Sequence, residues 1–207
     1  RQRGCHAVSP AAAEKAFLHQ QIHTLNAKRV LEIGSFKGET TRTLSDAVAP
    51  INGVVVAIDP MRWASEVIRN GILRHLQKAF RPIFETIERW LPQTSYEREF
   101  WHQVRAAGHN NVHLYRHLSV DPELIQKEDI LLERFDLVFV DGDHSYEGAR
   151  ADLENWGRRV RSGGQVLVHD ATPDFPGVCK AIDGWKADPG VRVHDQRHGS
   201  ICVIDVL

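Results

Sequence analysis

Apolar residues in this chain come in short unbroken runs, separated by stretches whose apolar positions recur at helical spacing. Four runs end in an acid: Arg29-Val30-Leu31-Glu32, Val54-Val55-Val56-Ala57-Ile58-Asp59, Leu137-Val138-Phe139-Val140-Asp141 and Gln165-Val166-Leu167-Val168-His169-Asp170. Unbroken rather than alternating apolarity belongs to strands covered on both faces, as in a parallel sheet. A weaker strand, Val112-His113-Leu114-Tyr115, falls between the second and third runs. Val191 to Arg197 and Ser200 to Val206 read as two strands joined by a tight turn at His198-Gly199, an antiparallel hairpin at one edge.

The helices follow from caps and spacing. Ser9-Pro10 reads as a helix start, with the helix passing through Ala16, Leu18 and Ile22 and stopping near Asn26. Ser145 is a plausible N-cap for a second helix with Glu147 in its first turn and Ala149, Leu153, Trp156 and Val160 on one face. Arg158, Arg159 and Arg161 would then fill its last turn, and Gly163-Gly164 would end it. The stretch from Met61 to about Gly108 is too long for one crossover helix. It reads as a helical insertion over 61–96, around Pro82 and Pro92, followed by a crossover helix near Phe100, Trp101 and Val104. Strand, helix, strand in this order gives right-handed crossovers. The expected fold is α/β: a doubly wound, mostly parallel seven-stranded Rossmann-like sheet with an antiparallel C-terminal hairpin and a helical insertion after the second strand. The whole of 1–207 reads as one domain, with 1–28 an N-terminal helical segment.

Composition narrows the class. A net charge of -1 lacks the basic footprint of a nucleic-acid binder. No apolar run approaches the roughly 20 residues of a membrane helix, and Arg1 to Cys5 is not followed by a signal-peptide core. Cys5, Cys179 and Cys202 are too scattered for a disulfide framework or a metal pair, which points to a reducing cytoplasm. The expected partner is a small molecule, with neither nucleic acid nor membrane. Assembly as a homo-oligomer, or membership of a longer multidomain chain, is left open, since the chain begins without Met.

Parallel strands end along one edge, where open sheets bind ligands near the point at which strand order reverses. Glu32, Asp59, Asp141 and Asp170 are therefore expected on a common rim. The first turn, Gly34-Ser35-Phe36-Lys37-Gly38, matches neither GxGxxG nor the phosphate loop, which disfavours a pyrophosphate ligand and with it an NAD(P)-dependent oxidoreductase. Asp59 at the tip of the second strand suits a pair of ribose hydroxyls.

Three segments carry a family resemblance: Glu32-Ile33-Gly34-Ser35-Phe36-Lys37-Gly38, then Ile58-Asp59-Pro60, then Phe135 to Gly148 with its Asp141-Gly142-Asp143-His144-Ser145-Tyr146-Glu147-Gly148 turn. With Ser162-Gly163-Gly164 and His169-Asp170 downstream, they resemble the class I S-adenosylmethionine-dependent methyltransferases, in particular the bacterial small-molecule O-methyltransferases similar to macrocin and catechol O-methyltransferases. The resemblance implies S-adenosylmethionine as cofactor and a sugar or natural-product hydroxyl as acceptor. It places Gly34, Ser35 and Gly38 at the methionine end of the cofactor, Asp59 at its ribose and Ser119 at its adenine, with Glu32 and Asp141 as further cofactor contacts and Asp141 also catalytic beside His144. Leu118 stands where the family often has an acid.

An acceptor hydroxyl needs a base or a metal. His144 is the candidate base, the alternative being a structural hydrogen bond to its loop; His169, inside an apolar strand, reads as a packed core histidine. Asp141 and Asp170 could hold Mg²⁺, yet Ala171 stands where metal-dependent relatives place a further Asp or Asn, so His144 or Asp143 would have to substitute. His194 and His198 read as surface residues. A non-catalytic, methyltransferase-like module is the other reading the sequence leaves standing.

Overall fold

The structure, a computed structural model, describes residues 12–61, 95–126 and 133–207. The expected insertion over 61–96, apart from its two ends, and the Ser9-Pro10 helix start lie outside the described residues.

In chain order the elements are α1 (Ala12–Leu25), β1 (Arg29–Ile33), α2 (Glu39–Val48), β2 (Val54–Ile58), α3 (Ser95–Ala106), β3 (Val112–Tyr115), the one-turn α4 (Pro122–Ile125), β4 (Phe135–Val140), α5 (Tyr146–Asn155), β5 (Val160–Val168), α6 (Pro176–Trp185), β6 (Val191–His198) and β7 (Ile201–Val206). The seven strands form one sheet in the order β3-β2-β1-β4-β5-β7-β6. β1 to β5 pair in parallel, and β7 runs antiparallel between β5 and β6. The chain builds outward from β1 to β2 and β3 on one side and continues through β4 and β5 on the other, which puts the reversal of strand order between β1 and β4.

The unbroken apolar runs are explained by cover on both faces. Along β4, Leu137 and Phe139 face Leu18, Ile22, Leu44 and Val48 of α1 and α2. The intervening Val138 and Val140 face Leu153, Val178 and Ile182 of α5 and α6. Each fully buried side chain of this size contributes about 1.5–3 kcal/mol. α3 closes the first face over β2, where Phe100 and Val104 pack with Ala57 and Met61. Among the described residues no helix is long and apolar enough to cross a membrane.

One boundary differs from expectation. α5 stops at Asn155, a 3-10 turn follows over Gly157–Arg159, and Val160 already belongs to β5. Gly157 sits under the Trp185 ring, where a Cβ would lie 2.6 Å from Cη2. Gly163 and Gly164 therefore lie inside β5, and Arg158, Arg159 and Arg161 follow the helix instead of closing it. Val160 was in phase with the helix only because its strand also faces α5 and α6. The register from Phe135↔Val160 to Leu137↔Gln165 advances two residues on β4 and five on β5, so the glycines occupy an irregularity.

Candidate active site

The strand ends are stitched together at the switch point. Gly34 N–H donates to Ile58 O at 2.9 Å, Asp141 N–H to Ile33 O at 2.8 Å, and His169 N–H to Val140 O at 2.9 Å. Gly34 has φ +85°, and a Cβ there would lie 2.0 Å from the Asp141 carbonyl oxygen. Glycine is thus required both for the turn and for the contact between the β1 and β4 loops. Gly38 also has positive φ, and its bare Cα packs against Phe100 of α3.

Asp59 closes the first loop. One carboxylate oxygen accepts from the Ser35 and Phe36 N–H groups at 3.0 and 2.8 Å, and the other from Met61 N–H at 2.7 Å. The expected ribose ligand is here the residue that holds the glycine loop against β2. Glu32 lies one residue inside β1 and is fully buried rather than standing on the rim. Burial pushes its carboxyl up to about 8, against the pull of the Thr41 and Ser35 hydroxyls.

That shift has a sign. Between pH 4.5 and 8 the folded chain keeps a proton on Glu32 that the unfolded chain has released, so stability falls as pH rises through this window. Glu32→Gln removes the term. Urea denaturation is expected to show the variant gaining stability relative to the parent between pH 5 and pH 8, and parallel curves would contradict the neutral carboxyl.

Ser119 follows β3. Its carbonyl accepts from the Trp156 indole N–H at 2.8 Å, and Leu118 and Val120 beside it are exposed.

The ends of β4 and β5 bring the remaining candidates together. His144 Nε2 is 2.9 Å from Asp170 Oδ2, and the His144 ring packs on Phe175 at 4.4 Å. Asp170 has φ +53°, a left-handed position that Asp tolerates. His169 Nδ1 is 3.1 Å from Asp141 Oδ1 and 3.5 Å from Asp170 Oδ2. Burial pulls the His169 imidazole down, but the two carboxylates outweigh it and raise it to about 10. Burial, the largest influence, raises the Asp141 carboxyl overall, against the lowering contact with His169. Burial raises Asp170 as well, but His144 and His169 overcome it and hold the carboxyl well below the usual range.

Oxygens of Asp141 and Asp170 and a ring nitrogen of His144 lie within 4.8 Å of one another. Asp143, the other expected substitute ligand, does not join them. Both its oxygens are turned to Ser145, whose hydroxyl in turn caps α5 at Gly148 N–H.

Residues 31–171, more than half of the chain, match the family described as "Methyltransferase domain". The chain belongs to this methyltransferase family.

Solved structures share the methyltransferase's fold. They include a Klebsiella pneumoniae protein named as a candidate O-methyltransferase, with a TM-score of 0.68 and 17% identity over 98% of this chain and 84% of that one. The O-methyltransferase TomG from Streptomyces achromogenes, involved in tomaymycin synthesis and solved with SAM, matches at 0.64 and 18% over 95% and 79%. An O-methyltransferase from Bacillus cereus, in complex with SAH, matches at 0.65 and 16% over 95% and 80%.

One member of the methyltransferase's polar cluster was not anticipated. Glu14 of α1 is 7% exposed and reaches His169 Nε2 at 3.4 Å. Its spacing to Leu18 and Ile22 puts a carboxylate on the apolar stripe of the helix, and that anomaly is visible in the sequence.

Proposed function

We propose that this methyltransferase moves a methyl group from S-adenosylmethionine to a hydroxyl of a small molecule, with a sugar or natural product as the acceptor class. The observation that carries the reading is the convergence, at one switch point, of a glycine-shaped loop held by Asp59 and a His144–Asp170 pair. The cofactors named for TomG and the Bacillus cereus enzyme support it.

The cradle fits such a cofactor: Asp59 holds the loop in place through the Ser35 and Phe36 amides, and the loop lacks the glycine pattern that would receive a pyrophosphate. Gly34, Ser35 and Gly38 would face the amino-acid part, with buried Glu32 supporting the loop from below. Asp59 would take a ribose hydroxyl, since a carboxylate has about four lone-pair sites and the Ser35, Phe36 and Met61 amides fill three of them. Ser119 would meet the base. When bound, the cofactor supplies a methyl group already activated on a sulfonium. The protein's task is then alignment and proton removal. With His144 Nε2 2.9 Å from Asp170 Oδ2, Nδ1 would be the basic atom. It would take the acceptor's proton, and Asp170 would balance the imidazolium.

The spacing of Asp141, His144 and Asp170 favours a second reading. A divalent cation about 2.0–2.4 Å from each ligand fits within that 4.8 Å span. Ala171 offers no oxygen, and a nitrogen donor suits Mn²⁺ or Zn²⁺ better than Mg²⁺. A bound cation would lower the acceptor hydroxyl's pKa, and His144 would be its ligand rather than a base. Turnover that survives EDTA selects the base, and turnover lost to EDTA and restored by Mn²⁺ selects the metal.

Calorimetric titration with S-adenosylmethionine and its demethylated product tests the cofactor. Micromolar binding is expected, weakened at least tenfold, about 1.4 kcal/mol, by Asp59→Ala. No binding to folded protein overturns the reading, and binding without turnover over a broad acceptor panel leaves a non-catalytic module.

A further inference from the structure

Glu14 and His169 are 155 residues apart in sequence, and their contact is hidden from solvent. Glu14 Oε1 accepts from Ser200 N–H at 2.6 Å and from the Ser200 hydroxyl at 2.8 Å. Its other oxygen faces His169 Nε2 at 3.4 Å, while Nδ1 of the same ring faces Asp141 at 3.1 Å. A carboxylate–imidazole–carboxylate chain thus runs from the N-terminal helix to the acceptor side of the site. Gly199 makes room for it, because a Cβ there would lie 2.4 Å from Glu14 Oε1.

A leucine at position 14 would complete the apolar stripe of α1, and burying a carboxylate costs several kcal/mol unless its partners repay it. Ser200 accounts for one oxygen only. The other is spent on a ring whose far side holds a site carboxylate. A ring with a carboxylate at each nitrogen is fixed in orientation between the two.

We propose that Glu14 is a positioning residue of the methyltransferase: through His169 it holds the Asp141 carboxylate in place beside His144 and Asp170. The proposal rests on the reading of Asp141, His144 and Asp170 as the acceptor side. It makes docking of α1 a condition for a competent site, although Glu14 itself touches no reactant.

Glu14→Gln keeps an acceptor for Ser200 and removes the charge facing His169. The expected result is a kcat roughly tenfold or more below the parent, with cofactor Kd and Tm little changed. His169→Asn keeps an amide donor near Asp141 and cuts the link to Glu14, so it should lower kcat similarly, and the double variant should fall no further. A merely structural contact would lower Tm, leave kcat alone and give additive effects, and that pattern overturns the proposal. Should Glu14→Gln fail to fold, the kcat and Tm of His169→Asn decide alone. If the parent binds cofactor but turns over no acceptor, the functional reading fails by itself. The positioning is then read from the imidazole ¹⁵N signals of His169: unchanged signals in Glu14→Gln, or in its absence slow-exchanging ring N–H signals missing from the parent, refute it.

Discussion

His144→Ala lowers kcat by roughly 10² or more while the Kd for S-adenosylmethionine stays within about twofold. On the proposed reading His144 serves the acceptor, paired with Asp170 at 2.9 Å, while Asp59 holds the Gly34 loop. Its loss removes proton acceptance, or one of three ligands if a cation is bound, and leaves the cofactor's cradle whole. The Asp143–Ser145 cap of α5 does not use the imidazole, so the turn keeps its shape. Stopped assays at saturating cofactor, paired with calorimetry, make the comparison. Activity equal to the parent would remove His144 from both roles.

Gly34→Ala is expected to act on binding and folding together. Two penalties coincide: a left-handed φ, costing of order 1 kcal/mol for alanine, and a Cβ 2.0 Å from a backbone carbonyl that cannot swing aside. Relief requires the β1 and β4 loops to part, which strains the Asp141–Ile33 hydrogen bond between them. A stability loss of about 3 kcal/mol or more is expected, with cofactor binding abolished in whatever remains folded. Urea denaturation and calorimetry check both. A variant of parental stability and affinity would show that this contact between the loops is not needed. By contrast Gly108, which meets nothing within 4 Å, bears only the φ penalty.

The sheet was legible because the physics that writes it is local. A run such as Val54 to Ile58 has no polar side to turn outward, so two covered faces follow directly. Ser145 was legible as a cap for the same reason, since its hydroxyl serves an amide three residues away. Strand-end acids could be placed on one edge by direction alone, but their partners could not. Asp59 is occupied by amides 23 and 24 residues distant, and Glu32 is drawn under the loop by Thr41. The end of α5 was misplaced because Val160 satisfies both periods at once, and only Trp185 over Gly157 decides between them. His169 reads correctly as buried, yet what satisfies it comes from a helix at the other end of the described chain.

The placement of β7 has a consequence for synthesis. Gln165 of β5 pairs with Asp205, and among the described residues no earlier strand covers that side of β5. While the chain emerges, the five parallel strands can assemble with an unsatisfied row of amides and carbonyls along Val166, Leu167 and Val168. Such a row is a template for a neighbouring copy until residues 201–206 arrive. Slowed translation between α6 and β7, or a rare stall there, would lengthen that exposure and favour aggregates nucleated on β5. The nascent methyltransferase is therefore most open to such pairing while the residues between β5 and β7 are being made.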